Sequence, residues 1–148
     1  MLKQRTFRFY KVYDLAKYDE YLVERAKQAS KNAYAPYSNF KVGAAIRSVA
    51  GKIFSGCNVE NAAYPQGTCA EAGAIAAMVL EGEVLIGELV VFVEVDKFIT
   101  PCGGCRQKIR EFSNSKTKII LVNKNFQKKY FTMEELLPGA FVSDDMEK

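Results

Sequence analysis

The sequence predicts an α/β domain of three layers, with helices on both sides of a mixed five-stranded sheet. Three observations predict it. Strand-like and helix-like segments alternate along the chain. The run ELVVFVEVD at 88–96 is apolar enough to suit a strand covered on both faces. The stretch FKVGAAIRS-VAGK-IFSGCNV, 40–59, reads as two strands around a turn.

Each element has its own signal. Leu15, Tyr18, Leu22, Ala26, Ala29 and Ala33 recur at intervals of three and four, which lines one helix face, and Pro36 bounds that helix. In the hairpin, Val42, Ala44 and Ile46 alternate onto one face. Pro65 and Gly67 break the chain before a second helix over 68–80, rich in Ala, Met, Ile and Leu, with Gly82 past its end. A third helix follows the 88–96 strand, with Thr100 placed to cap it and Pro101 at its first position. KIILVN at 118–123 is a further strand, and YFTMEELLP at 130–138 supplies a last short one before an extended tail. No repeat or linker divides the chain, so residues 1–148 are expected to form a single domain, with 1–14 as an N-terminal extension.

Composition narrows the function. A chain of 148 residues that is 49% hydrophobic can bury one core but is small for enclosing a deep pocket alone, which points to self-association. No apolar stretch approaches a membrane span and the start lacks a signal-peptide pattern, so a cytoplasmic protein with no membrane partner is expected. Residues 1–52 carry 11 Lys and Arg against 4 Asp and Glu, and the remainder carries 10 against 13. That basic excess lies away from the cysteines and reads as a solvated face, with no nucleic-acid partner expected. The chain has no histidine. Every imidazole ligand and every Ser-His or Cys-His nucleophile is thereby excluded, leaving acid–base work to a carboxylate, Lys, Tyr or thiol.

Four cysteines remain: Cys57, Cys69, Cys102 and Cys105. In a reducing compartment they read as metal ligands, catalytic groups or core residues rather than disulfides. TCAEAG at 68–73 puts Cys69 at the start of one helix, and TPCGGCRQKIREF at 100–112 puts Cys102 and Cys105 at the start of the next. Both helices follow strands of one sheet, so their N-termini meet at one end of it, where ligands bind in open α/β folds. Helix N-termini favour thiolate, and tetrahedral zinc suits three of them.

Zinc on three thiolates keeps a fourth position for water, whereas Cys57 as a fourth ligand would close the site and make it structural. Glu71 decides for the open form. Thr68 and Glu71 also fit an ordinary capping box. Yet a non-ligating Glu two residues after the first Cys, with a later Pro-Cys-x-x-Cys, is the zinc-deaminase signature. A thiol–disulfide reading of the CxxC leaves Cys69 and Glu71 unused.

These segments resemble the small homotetrameric zinc-dependent cytidine deaminase family. The similarity runs from about Ala33 to Phe141 through YAPYSNFKVGAAI, GCNVENAAYPQGTCAEAGAI, TPCGGCRQKIREF and ELLPGAF. The resemblance implies the αβα cytidine deaminase-like fold, a homotetramer, one zinc per subunit, and hydrolysis of cytidine and deoxycytidine to the uridines with release of ammonia, in pyrimidine salvage. It assigns Glu71 as the proton carrier and Cys69, Cys102 and Cys105 as metal ligands. It also places Asn58 and Glu60 on the ribose, Phe40 stacked on the pyrimidine, and Ala70 offering backbone groups to the base. Tyr64 and Phe141 would close a neighbouring subunit's pocket. Where the family commonly has CAER this chain has Ala72, so Arg106 is the candidate to offset the surplus negative charge of three thiolates. The rival readings are a deaminase of another aminated base, such as a blasticidin-type drug, and a structural zinc module.

Overall fold

The computed structural model describes residues 15–146, with side chains from Asp19 onward. The N-terminal extension, and the side chains of Leu15 and Tyr18 expected on the first helix face, lie outside the described residues. Helix α1 (Leu15–Lys31) leads into strands β1 (Val42–Ser48) and β2 (Ile53–Cys57). Helix α2 (Ala70–Leu80), strand β3 (Ile86–Val93), helix α3 (Gly103–Glu111), strands β4 (Lys118–Val122) and β5 (Lys128–Thr132), and the short helix α4 (Met133–Leu136) follow.

The five strands form one sheet in the order β2-β1-β3-β4-β5. The predicted hairpin is present, with Gly43 opposite Cys57 and Arg47 opposite Ile53. Only β3 and β4 are parallel, pairing Glu88 with Lys118 through Phe92 with Val122, and α3 makes the crossover between them. The sheet is therefore mixed, as expected.

Alternation along the strands sorts the core into two halves. Ala44, Ile46, Leu89, Val91, Ile119 and Leu121 face Ala74, Ile75 and Met78 of α2, Ile109 of α3 and Met133 and Leu136 of α4. Their neighbours Ala45, Val90, Phe92, Ile120 and Val122 face Leu22, Val23 and Ala26 of α1. Strand β3 thus buries both faces, which is why its sequence is continuously apolar. The arrangement is the predicted αβα sandwich.

Several local expectations need correction. Helix α1 stops at Lys31 rather than at Pro36, with Ala33 buried just beyond it. Its buried stripe is Leu22, Val23, Ala26 and Ser30, while Ala29 is only partly covered. Helix α2 starts at Ala70, two residues later than predicted, and Cys69 is its N-cap without a side-chain bond. The Thr68–Glu71 capping box is therefore absent. Nor does Thr100 cap α3: Cys102 holds the N-cap and Gly103 the first helical position, so Pro101 lies outside. The segment 130–138 divides between β5, which begins earlier at Lys128, and α4, because Thr132 and Glu135 form a complete capping box that starts a helix.

Helix-to-sheet spacing on the site side is set by a glycine. A Cβ added at Gly56 would fall 2.3 Å from Ala74 N and 2.5 Å from Ala70 O, so α2 rests directly on the β2 backbone. That contact fixes where Ala70 and Glu71 stand.

Candidate metal centre and active site

Helices α2 and α3 bring their N-termini together beside the end of β3. The sulfur atoms of Cys69, Cys102 and Cys105 all lie within 4.8 Å of one another, with Cys69 Sγ 4.0 Å from Cys102 Sγ. These three are the group capable of holding a metal among the described residues. Cys57 is not part of it; it sits half-buried on β2 opposite Gly43. The second residue of α2, Glu71, is 5% exposed, and its Oε2 accepts from Cys105 Sγ at 3.6 Å.

The electrostatics of this cluster have separable causes. Burial pushes the Glu71 carboxyl above its ordinary range. Burial likewise raises Cys105, helped by the charge of Glu71, and raises Cys69. Cys102 moves the other way, because the backbone N–H of Cys105 donates to its sulfur at the open start of α3. Three sulfur donors and a carboxyl crowded together, with Cys105 and Glu71 buried and Cys69 and Cys102 exposed, repel as anions, and a dication relieves that repulsion. Three soft donors within tetrahedral reach fit zinc.

A cavity of about 290 Å³ opens over the cluster. Its lining brings together Phe40, Asn58, Glu60, Cys69, Ala70, Glu71 and Cys102, seven of the residues the sequence singled out, taken from four separate segments. Asn58 is already engaged with the chain: its Nδ2 donates to Phe40 O and its Oδ1 accepts from Val42 N, both at 2.8 Å. Tyr64 lies next door, 76% exposed, in a second cavity with Tyr37, Ser38 and Glu60. Phe141 stands apart from the cluster, 57% exposed, with its carbonyl accepting from Gln107 Nε2 at 2.9 Å. Neither aromatic lines the cavity over the cysteine cluster.

Arg106 is bound on three sides. It donates to Pro101 O at 2.8 Å, Thr100 Oγ1 at 2.9 Å and Leu136 O at 3.0 Å, bracing the turn that carries Cys102. The cavity wall also includes Ser38, Val91, Ile99 and Thr100, which sequence reasoning did not assign to it. Ser38 stood inside the YSNF segment, but nothing in its spacing marked it.

The profile described as "Cytidine and deoxycytidylate deaminase zinc-binding region" matches residues 16–121. The chain belongs to this family. The deaminase is 40% identical over 127 residues to a cytidine deaminase of Sporosarcina psychrophila, covering 86% of this chain and 93% of that one. Among solved structures it is similar to the cytidine deaminase of Burkholderia pseudomallei, at 41% identity and a TM-score of 0.79, covering 82% of this chain and 98% of the other. The cytidine deaminase of Mycobacterium tuberculosis matches at 33% identity and a TM-score of 0.71, over 86% and 98% of the two chains. No described helix of the deaminase is long and apolar enough to cross a membrane.

Proposed function

We propose that the protein hydrolyses cytidine and deoxycytidine to uridine and deoxyuridine, releasing ammonia, with one zinc ion per subunit held by Cys69, Cys102 and Cys105. The observation that carries the reading is Glu71: a buried carboxyl at the start of α2, beside a three-thiol cluster and on the wall of an open cavity. Membership of the zinc-binding deaminase family supports it. When bound, zinc supplies Lewis acidity, which brings the pKa of water down to about 7.

The residues of the chain do the rest. Glu71 takes a proton from water and passes it to N3 of the pyrimidine, then carries the second to the departing amine. A C4–O bond forms, the C4–N bond breaks, and the two protons of water end on N3 and on ammonia. Burial suits Glu71 to this work, because raising a carboxyl above its ordinary range makes its ionised form a stronger base toward water than an exposed carboxylate. Phe40 stacks on the base, the backbone of Ala70 reads its edge, and Asn58 and Glu60 bind the sugar. Each lines the same cavity.

Three thiolates around a dication leave a net charge of −1, and with Ala72 in place we assign part of the compensation to Arg106 and the two helix N-termini. Arg106→Gln is then expected to weaken zinc binding and turnover together; unchanged values would remove the assignment.

The working unit in this reading is a homotetramer in the cytoplasm, each chain folded as one domain around its single sheet. Uncovered apolar groups support self-association: Tyr64, Phe141 and, at the far end of α2, Leu80, which is 84% exposed. Tyr64 and Phe141 are available to close a neighbour's cavity and exclude water from it. Incubating the purified, zinc-analysed protein with cytidine, deoxycytidine, CMP, adenosine and blasticidin S, with ammonia as readout, tests the function. Release from the two nucleosides supports it, and release only from blasticidin S would replace it with the drug-deaminase reading.

A further inference from the structure

The chain between α1 and β1 is tied to the end of β2 through side chains. The Glu60 carboxylate accepts from the backbone N–H of Tyr37 at 2.8 Å, from that of Ser38 at 3.2 Å, and from the Ser38 hydroxyl. The same hydroxyl oxygen accepts from Phe40 N at 3.0 Å. On its other side, the Phe40 carbonyl accepts from Asn58 Nδ2 at 2.8 Å. Both backbone polar groups of Phe40 are therefore held, one through Ser38 and one through Asn58. Asn39, between Ser38 and Phe40, sits at a φ of 54°, in the left-handed region that persists where the surroundings enforce it.

Serine suits this position for a chemical reason. A hydroxyl donates one hydrogen bond and accepts others, so it can hand a proton to a carboxylate while taking one from a peptide N–H. Donation from Ser38 is also the largest influence holding the Glu60 carboxyl below its ordinary range, which keeps it an acceptor near neutrality. A carboxylate has about four acceptor sites, and the loop takes three of them. One is left for a ligand hydroxyl.

We propose that Ser38 is a positioning residue: its hydroxyl fixes the sugar-binding carboxylate of Glu60 and the base-stacking ring of Phe40 in one register, so that the two halves of a nucleoside are met at a set separation. The inference rests on the proposed function, in which Phe40 and Glu60 contact the nucleoside. Ser38 is exposed, and the two backbone N–H bonds to Glu60 survive its truncation, so folding does not depend on it.

The test is steady-state kinetics of the full-length zinc-loaded protein with cytidine. Ser38→Ala is expected to raise KM about tenfold, the worth of a lost hydrogen bond to a charged group, with kcat within about threefold of the unaltered protein. Ser38→Thr, which keeps the hydroxyl, restores KM to within about threefold. Adding Ser38→Ala to Glu60→Gln raises KM no further than Glu60→Gln alone, because the hydroxyl acts through the carboxylate. An unmoved KM in Ser38→Ala, a loss confined to kcat, additive effects in the double variant, or a fall in Tm above about 5 °C would each overturn the assignment. If the unaltered protein releases no ammonia from cytidine, the deaminase reading itself fails; normal turnover with an unmoved KM in Ser38→Ala sinks only the role of Ser38.

Discussion

Replacing Glu71 with Gln separates its chemical role from its packing role. The side chain is 5% exposed at the second position of α2, among residues that pack against the sheet. Gln has nearly the same shape, so the change opens no cavity. It also introduces no buried charge, whereas the native carboxyl is raised by burial and is held neutral or ionised at a cost. Stability should therefore not fall. Turnover should: a positioned acid–base group contributes about 10²–10⁴-fold, and Glu71 is assigned two successive proton transfers, which puts the loss at the upper end. A drop of 10³–10⁴ corresponds to about 4–5.5 kcal/mol on the barrier. Ammonia release measured beside zinc content and thermal unfolding reads all three quantities. The expected variant binds one zinc, melts no lower than the native protein and is nearly inactive. Activity within about tenfold of native, at full zinc occupancy, would refute the role of Glu71.

Other perturbations probe different links. Gly56→Ala places a Cβ 2.3 Å from Ala74 N and 2.5 Å from Ala70 O, both backbone atoms that cannot rotate away, so urea denaturation should show a loss of about 3 kcal/mol or more. An unchanged midpoint would mean that α2 is not seated on β2 as described. Cys57→Ala should retain zinc at one per chain while Cys102→Ala loses it, as elemental analysis after dialysis would reveal; zinc loss from Cys57→Ala contradicts a three-thiol site. Glu60 gives a pH test. Its folded-state pKa lies below the ordinary 4.5, owing first to Ser38, so its contribution to stability is complete above that value and fades as pH falls through the folded pKa. The Tm difference between the native protein and Glu60→Gln should be constant from pH 7 to about 5 and shrink below about 4.5. A difference that grew on acidification would mean that the loop contacts favour the protonated acid.

Much of this was legible in the sequence because two periodicities and two spacings carry it. Alternation in the strands and three-to-four spacing in α1 and α2 follow directly from which faces are buried, so the sheet and its flanking helices could be read in order. The cysteine spacing placed three thiols at two helix starts because successive strand-to-helix crossings leave helix N-termini at one end of a sheet. Local competition was less legible. Thr68-x-x-Glu71 and Thr132-x-x-Glu135 are equivalent as patterns, yet only the second forms a capping box, since Glu71 turns inward toward Cys105 instead. Thr100 has the pattern of a cap and instead accepts from Arg106, an interaction that depends on where the chain folds back. The Ser38–Glu60 contact joins residues 22 apart in sequence and leaves no periodic trace, and the Arg106–Leu136 contact spans 30.

Deamination by this chain requires a cation gripped by three sulfurs with one position open to solvent. Zinc K-edge X-ray absorption on the purified protein measures it directly. Three sulfur neighbours at about 2.3 Å and one light atom at about 2.0 Å are expected. Four sulfur neighbours, with Cys57 recruited as the last, would make the site structural and overturn the deaminase reading.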